Sequence, residues 1–463
     1  MTEETKPPPH QSVVDSISAR LERLPNSRWQ SKIRTLLGVV TFFEGFDQLL
    51  VSYTLPLIKT EWHLGAGALT LAVTAGSVGM LVGAPVGGGL ADRFGRVRVV
   101  VAAMLVTAVA SLLLMVSPNI EIFAILRFVQ GLGIGAEVPV AAAFISELAR
   151  AHGRGRFVLL YELAFPAGLT AAALVATAVV PVFGWRALYL IGALPALLAF
   201  AVRRSVPESP RWLAARGEYG RAEQAMEWVE NRILTATKRP LPDPVATSPA
   251  PAIEAPSSRR GVLTLFERPY ARRTAVVSAL WFGGYFVNYG ITAWLPAIYT
   301  SIYHVPLGTA LTYTLYTSVV GFAGCVVVML LVDRIGRRPS LVIGLIVGGA
   351  LLVVLALLCA RTGTDVAVWA TLSGFFIFAV NICLYLYTAE LYPARVRAMG
   401  VSFGGVWNRI GVILGPIVVG ALIAAGASPA TVFAVLGGVG IATGVVALFG
   451  EETTGRRLED ISS

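Results

Sequence analysis

Glu44, Asp47, Arg127 and Arg409 stand inside stretches that are otherwise apolar, and ionisable groups in such surroundings are expensive enough to imply a task. Asp47 falls ~18 Å along its stretch, taken as a helix rising about 1.5 Å per residue, which is near the middle of a hydrocarbon layer. A carboxylate there is costly while ionised and unpaired. It is suited to alternate between a protonated and an ion-paired state, which is what proton coupling requires. Glu44, one turn earlier, shares its face. Arg127 sits ~9 Å inside the outer end of another stretch, where its long side chain can extend towards Asp47. Either acid can alternatively lock a helix contact.

Arg409 lies ~16 Å from the cytoplasmic end of its stretch, beside Trp407 and Asn408. A guanidinium at that depth can hold a substrate carboxylate through a forked pair of hydrogen bonds, or neutralise a buried acid. Asn381 and Tyr385 share a helix face, and Asn288, Tyr289, Gln48 and Glu137 are further candidates to line a binding site. Polar residues also hold helices to one another in lipid, so both readings stand for these. Glu137 and Glu162 point to the inner vestibule, as gating or as packing groups.

What positions these residues is a series of apolar runs. A chain that is 56% hydrophobic and 14% charged does not describe a soluble globular domain. Runs of ~20 residues recur about twelve times without strand-like alternation, so the spanning elements are helices. They fall at roughly 35–58, 68–90, 97–117, 121–146, 157–181, 185–203, 273–298, 309–332, 339–360, 365–389, 398–424 and 429–449. An even number puts both termini on one side. Arg93, Arg96, Arg98, Arg150, Arg154, Arg156, Arg334, Arg337, Arg338, Arg395 and Arg397 crowd the loops of that side, against Lys59, Arg186 and Arg361 opposite, so that side is expected to be cytoplasmic.

The expected organisation is a cytoplasmic tail at 1–34, a six-helix bundle at 35–203, a cytoplasmic loop at 204–272, a second bundle at 273–449 and a tail at 450–463. The loop opens with an amphipathic helical stretch around Pro210–Ile233 and continues through a Pro- and Ala-rich linker. The polar, arginine-bearing start reads as a tail before an uncleaved span. The three cysteines, Cys325, Cys359 and Cys383, fall inside apolar runs and suggest neither a disulfide framework nor a metal cluster. With no metal-ligand cluster, nucleophile triad or Walker loop, no enzyme and no cofactor are expected. The net charge of +10 is explained by loop arginines rather than by nucleic acid.

The halves repeat. Asp92-Arg93-Phe94-Gly95-Arg96 returns as Asp333-Arg334-Ile335-Gly336-Arg337; Glu147 with Arg154 returns as Glu390 with Arg397; and the acidic turn at Glu208 returns at Glu452. All three return after about 240 residues, the mark of two parallel six-helix repeats, between which a substrate site lies near mid-membrane. These charges are expected to pair, clasp the cytoplasmic ends and act as a gate that separates when the inside opens.

Gly88-Gly89-Leu90-Ala91-Asp92-Arg93-Phe94-Gly95-Arg96 resembles the signature loop of the major facilitator superfamily, and its second copy resembles that family's degenerate repeat. Arg127-Phe128-Val129-Gln130-Gly131 resembles a further family motif. Pro207-Glu208-Ser209-Pro210-Arg211, Glu390-Leu391-Tyr392-Pro393 and Glu452-Thr453-Thr454-Gly455 are similar to the sugar-porter branch and the related metabolite:proton symporters. The resemblance implies the major facilitator fold and, in the sugar-porter pattern, an ion pair between Arg127 and Asp47. Span seven departs from that pattern: Trp281-Phe282-Gly283-Gly284-Tyr285-Phe286-Val287-Asn288-Tyr289-Gly290 lacks the glutamines that line a sugar site, which argues against a hexose. Glu44-Gly45-Phe46-Asp47 is closer to the acidic pair of aromatic-acid symporters, which commonly have Asp where this chain has Glu44.

The expectation is a monomeric inner-membrane carrier that couples proton entry to uptake of a small organic or aromatic acid. A proton on Asp47 releases Arg127, lets substrate bind and lets the halves rock inwards. The alternatives are proton-driven export of drugs or metabolites, and a membrane sensor that does not transport.

Overall fold

The computed structural model describes residues 16–148, 161–242 and 265–454, apart from 18, 22, 26, 239, 268, 269, 360 and 393, and gives only the backbone at some of these positions, Glu147 and Arg397 among them. All its regular elements are helices. In the first half they are α1 (Arg28–Glu61), α2 (Ala66–Phe94), α3 (Arg96–Met115), α4 (Ile120–Leu148), α5 (Ala164–Phe183), α6 (Arg186–Gly192) and α7 (Pro195–Ser205). The short helices α8 (Pro210–Ala215) and α9 (Tyr219–Thr237) follow. The second half holds α10 (Tyr270–Thr292), α11 (Leu295–Ser301), α12 (Leu307–Ile335), α13 (Arg337–Val354), α14 (Gly363–Leu391), α15 (Ala394–Ala424) and α16 (Pro429–Ala447). A π-helical turn, Leu355–Cys359, extends α13.

Among the described residues ten segments are long and apolar enough to cross a membrane, with α6 and α7 forming one of them. The two remaining crossings are α4, which carries Glu121, Arg127 and Glu137, and α10 continued by α11. The helices run past the apolar stretches because hydropathy marks the lipid-contacting part while the backbone stays helical into the loops. The amphipathic stretch after the sixth crossing is two helices, α8 and α9, and the Pro-rich linker lies outside the described residues.

The packing repeats as the sequence does. In the first half α2 lies against α4, α1 against α5, and α3 against α7; in the second, α12 against α14, α10 against α15, and α13 against α16. The halves meet where α15 packs on α2 and α12 on α5, two contacts exchanged by a two-fold relation between the repeats. Small residues allow the tightest approach. A Cβ at Gly131 would lie 2.0 Å from the Gly76 carbonyl oxygen, and one at Gly135 2.3 Å from that of Met80, so α4 and α2 touch backbone to backbone. The repeated turns after α2 and α12 are made by Gly95 and Gly336 at φ 106° and 102°, a region that disfavours any side chain.

Candidate functional site

Asp47 is 1% exposed on α1, and neither carboxylate oxygen has a hydrogen-bond partner among the described residues. Its Oδ1 faces α6, where a Cβ on Gly192 would come within 2.6 Å of it. Arg127, on α4 and 4% exposed, is within electrostatic reach but forms no ion pair with Asp47 among the described residues. Instead its Nη1 donates to Gln130 Oε1 at 2.6 Å, and Gln130 Nε2 donates to Ser111 Oγ on α3 at 2.7 Å. The pair implied by the resemblance is thus open here, because a neutral amide one helical turn along α4 has taken the guanidinium.

Glu44, a turn before Asp47, faces the seam between the halves. Its Oε1 lies 3.6 Å from Nη2 of Arg409 on α15, and Arg409 Nη1 also approaches Met80 Sδ on α2 at 3.4 Å. Arg409 is therefore a second-half cation held by two groups of the first half. Glu137 on α4 lies within electrostatic reach of both Glu44 and Asp47, and Glu162 within reach of Glu44; neither has an ion-pair partner among the described residues. Four carboxylates and two guanidiniums therefore share the core, and neutrality requires added protons or a cation.

Aromatic rings wall the second-half side. Trp281, Tyr285 and Tyr289 stack at four-residue spacing along α10, with centroids 5.6 and 6.1 Å apart. Tyr385 of α14 sets its ring at 4.7 Å, edge to face, against Trp281, and Trp407 of α15 lies 6.3 Å from Phe282. Tyr289 and Tyr385 are within electrostatic reach of Arg409 and Glu44. The Oδ1 atoms of Asn288, Asn381 and Asn408, Oε1 of Gln48 and Nε1 of Trp407 are all buried without a hydrogen-bond partner among the described residues. Unsatisfied polar atoms are rare in packed interiors, and so many on α1, α10, α14 and α15 mark surfaces meant for a guest or for water.

Sequence reasoning did not single out Gln130, Ser111, Met80, Trp281 or Tyr285. The i, i+4, i+8 spacing of Trp281, Tyr285 and Tyr289 was a usable signal for one face of one helix; Met80 and Ser111 carry none.

The charged residues described at the arginine-rich end bond within their own half. Arg337 forks onto Glu390 at 2.9 and 3.0 Å and reaches Asp333 at 2.8 Å, tying the ends of α12, α13 and α14 together. Glu452 accepts from the Arg337 and Arg338 amides, the first turn of α13, at 3.0 Å each; Glu208 likewise accepts from the Arg96 and Val97 amides opening α3, at 2.8 and 3.1 Å. Burial works to raise the Glu452 carboxyl, but the hydroxyl and amides it accepts from hold it below the ordinary glutamate range. The repeated acidic turns are helix N-terminal caps. Arg93 and Arg334 are exposed, and the Asp92 carbonyl accepts from Trp212 and Arg216. The ion pairs that Arg337 makes at this end lie within one half, as braces between its helices. Arg154 and the side chains of Glu147 and Arg397 lie outside what is described.

Residues 36–463 match the family described as Sugar (and other) transporter. The chain is 32% identical to the niacin transporter NiaP of Acinetobacter baylyi, over 97% of this chain and 100% of that one. It is 29% identical to the 4-hydroxybenzoate transporter PcaK of Pseudomonas aeruginosa, over 86% of this chain and 87% of that one. A crystal structure of a D-xylose-proton symporter superposes with a TM-score of 0.69 at 18% identity, covering 93% of this chain and 100% of that one. Its family and relatives are carriers rather than enzymes: the chain belongs to the Sugar (and other) transporter family, within the major facilitator superfamily, and has that superfamily's twelve-helix fold.

Proposed function

We propose that this protein takes up a small aromatic carboxylate together with protons, by alternating access. The observation that carries the reading is Arg409, a guanidinium at the seam of the two halves, beside a wall of tryptophan and tyrosine rings. A flat ring bearing one carboxylate suits that arrangement: the rings stack on it while the guanidinium holds the anion. Niacin and 4-hydroxybenzoate, named for two relatives, are both such molecules. Asn288, Asn381, Asn408, Gln48 and Trp407 supply hydrogen bonds to ring substituents, and Glu137 a charged edge.

Protons enter on the acids of α1. Asp47 without an ion-pair partner, close to an Arg127 held by Gln130, is a site where a proton and a guanidinium compete. The moving bodies are residues 35–203 and 273–449, joined by 204–272, with both termini in the cytoplasm and the protein a monomer in the inner membrane. That orientation follows from the loop arginines. The braces around Arg337 and Glu390 keep the second half rigid as it rocks, and Asp92, Arg93 and Arg96 with the Glu208 cap do so for the first.

Purified protein in proteoliposomes tests this. With an acidic exterior it is expected to accumulate labelled nicotinate or 4-hydroxybenzoate, to lose the gradient on adding a protonophore, and to ignore D-xylose. Accumulation of xylose instead would overturn the substrate class. Net movement of the aromatic acid against the proton gradient would favour export.

A further inference from the structure

The Glu44–Arg409 contact differs in kind from the other ion pairs described in the spanning core and at the arginine-rich end. Those tie spans of one half together, whereas this one joins α1 of the first half to α15 of the second. It must therefore lengthen or break when the halves rock. At 3.6 Å it is also looser than a charge-assisted hydrogen bond, typically about 2.7–2.9 Å. Among the described residues the only other hydrogen bond of the guanidinium is to the Met80 thioether, a weak acceptor, so most of its five donors have no strong acceptor there. Asp47 cannot share this role, since its carboxylate faces Gly192 within its own half.

We propose that Glu44 is a built-in stand-in for the substrate: its carboxylate occupies Arg409 in the empty carrier, and an incoming aromatic carboxylate takes Arg409 over as Glu44 accepts a proton. This rests on the aromatic-carboxylate reading above. The surroundings of Glu44 dictate the coupling. Facing it are Glu137 from α4, Tyr161 and Glu162 just before α5, Tyr289 from α10, Tyr385 from α14 and Arg409 from α15, while Asp47, a turn along its own helix, faces α6 instead. The single cation among them is Arg409. A Glu44 carboxylate that lost it would stand buried among like charges, so the exchange requires Glu44 to be neutralised at the same time. One anion arrives with one proton, and the charge at the seam is unchanged. While the carrier is empty Glu44 stays ionised against Arg409, so a proton enters this site only together with substrate.

Binding of 4-hydroxybenzoate and nicotinate to the purified full-length protein, measured by calorimetry from about pH 6 to 8 in buffers of different ionisation enthalpy, tests the exchange. Wild type is expected to weaken by up to tenfold per pH unit and to take up about one proton per ligand bound. Glu44→Gln is expected to bind at the acid-side affinity throughout and to take up none. Glu44→Asp guards against a glutamine variant that does not fold. One methylene shorter, it holds Arg409 less closely and is expected to bind more tightly than wild type at pH 8 while keeping the proton uptake. A Glu44→Gln protein that keeps the pH slope, or binds more weakly than wild type at pH 8, overturns the exchange, as does a Glu44→Asp protein with unchanged affinity. Failure of wild type to bind either acid would instead overturn the substrate class on which the inference rests.

Discussion

At the scale of single residues the core is defined by what its charges lack. Asp47 is buried on all sides with no hydrogen-bond partner, and Arg127 spends its guanidinium on a neutral amide. Under the proposed coupling, a proton on Asp47 is what the gradient acts on. Asp47→Asn should therefore exchange labelled for unlabelled substrate at near wild-type rate. Its pH-driven accumulation, about tenfold per pH unit for each coupled proton, should lose the factor that Asp47 carries and keep that of the proton taken up with substrate on Glu44. Counterflow and net uptake measured on the same vesicles separate the two, and normal accumulation by the variant would remove Asp47 from the coupling. That Asp47 and Arg409 lie well inside their helices was legible from counting residues along apolar stretches, because helical rise is fixed. Which partner each would find was not. Glu44 and Asp47 sit one turn apart, yet one faces the other half and the other faces α6, a rotation set by helix packing that no spacing rule contains.

At the scale of elements, the repeated motifs turn out to be joints between helices. The charges of the Asp92–Arg96 and Asp333–Arg337 loops were expected to pair and clasp the cytoplasmic ends as a gate. In the structure Glu452 and Glu208 cap the helices that follow those loops, and Arg337 bridges to Glu390 from a neighbouring span of its own half. The recurrence was visible in sequence, but whether a charge pairs within or between repeats depends on tertiary placement. The tail offers an element that sequence gave little reason to expect. Ile17, Leu21 and Leu24 belong to one buried cluster with Met226, Val229 and Ile233 of α9. Arg20 forks onto Glu230 at 3.1 and 2.6 Å and also pairs with Glu223, while Arg23 reaches Glu230 at 2.5 Å. Burial works to raise the Glu230 carboxyl, but the Arg20 and Arg23 guanidiniums outweigh it and hold the group below the ordinary glutamate range. A carboxyl depressed on folding contributes stability above its unfolded value and loses it as pH falls through the folded one. The docking should thus be intact at neutral pH and weaken only in acid. Glu230→Gln should undock the segment at neutral pH and speed trypsin cleavage after Arg20 and Arg23 by about tenfold or more, since cleavage follows the population of the opened form. An unchanged cleavage rate would show that the apolar contacts suffice.

At the scale of the whole molecule, the contacts between halves are unevenly spread. Among the described residues, Lys59 Nζ donates to Ser301 Oγ at 2.9 Å, α2 meets α15 where a Cβ on Gly420 would lie 2.0 Å from Thr70 Oγ1, and Arg409 meets Glu44 and Met80 deeper in. Lys59, Thr70 and Gly420 all lie towards the end opposite the arginine-rich loops, so that end is the closed one. An alternating-access carrier must open it to load, and close it again to release cargo on the other side. Closure there depends on the missing side chain at Gly420, since both Thr70 and the Trp294 ring, 2.9 Å from the same point, crowd it. Gly420→Trp should wedge the two halves apart at that end and hold the substrate site open towards it. Binding of 4-hydroxybenzoate is then expected to stay within about threefold of wild type while uptake into vesicles falls by about a hundredfold, because the equilibrium is pushed to one state rather than the site being altered. Binding and uptake measured on the same preparation decide the matter: loss of both would mean that the second half has been damaged, and retention of both would mean that the far end need not close on Gly420 for cargo to cross.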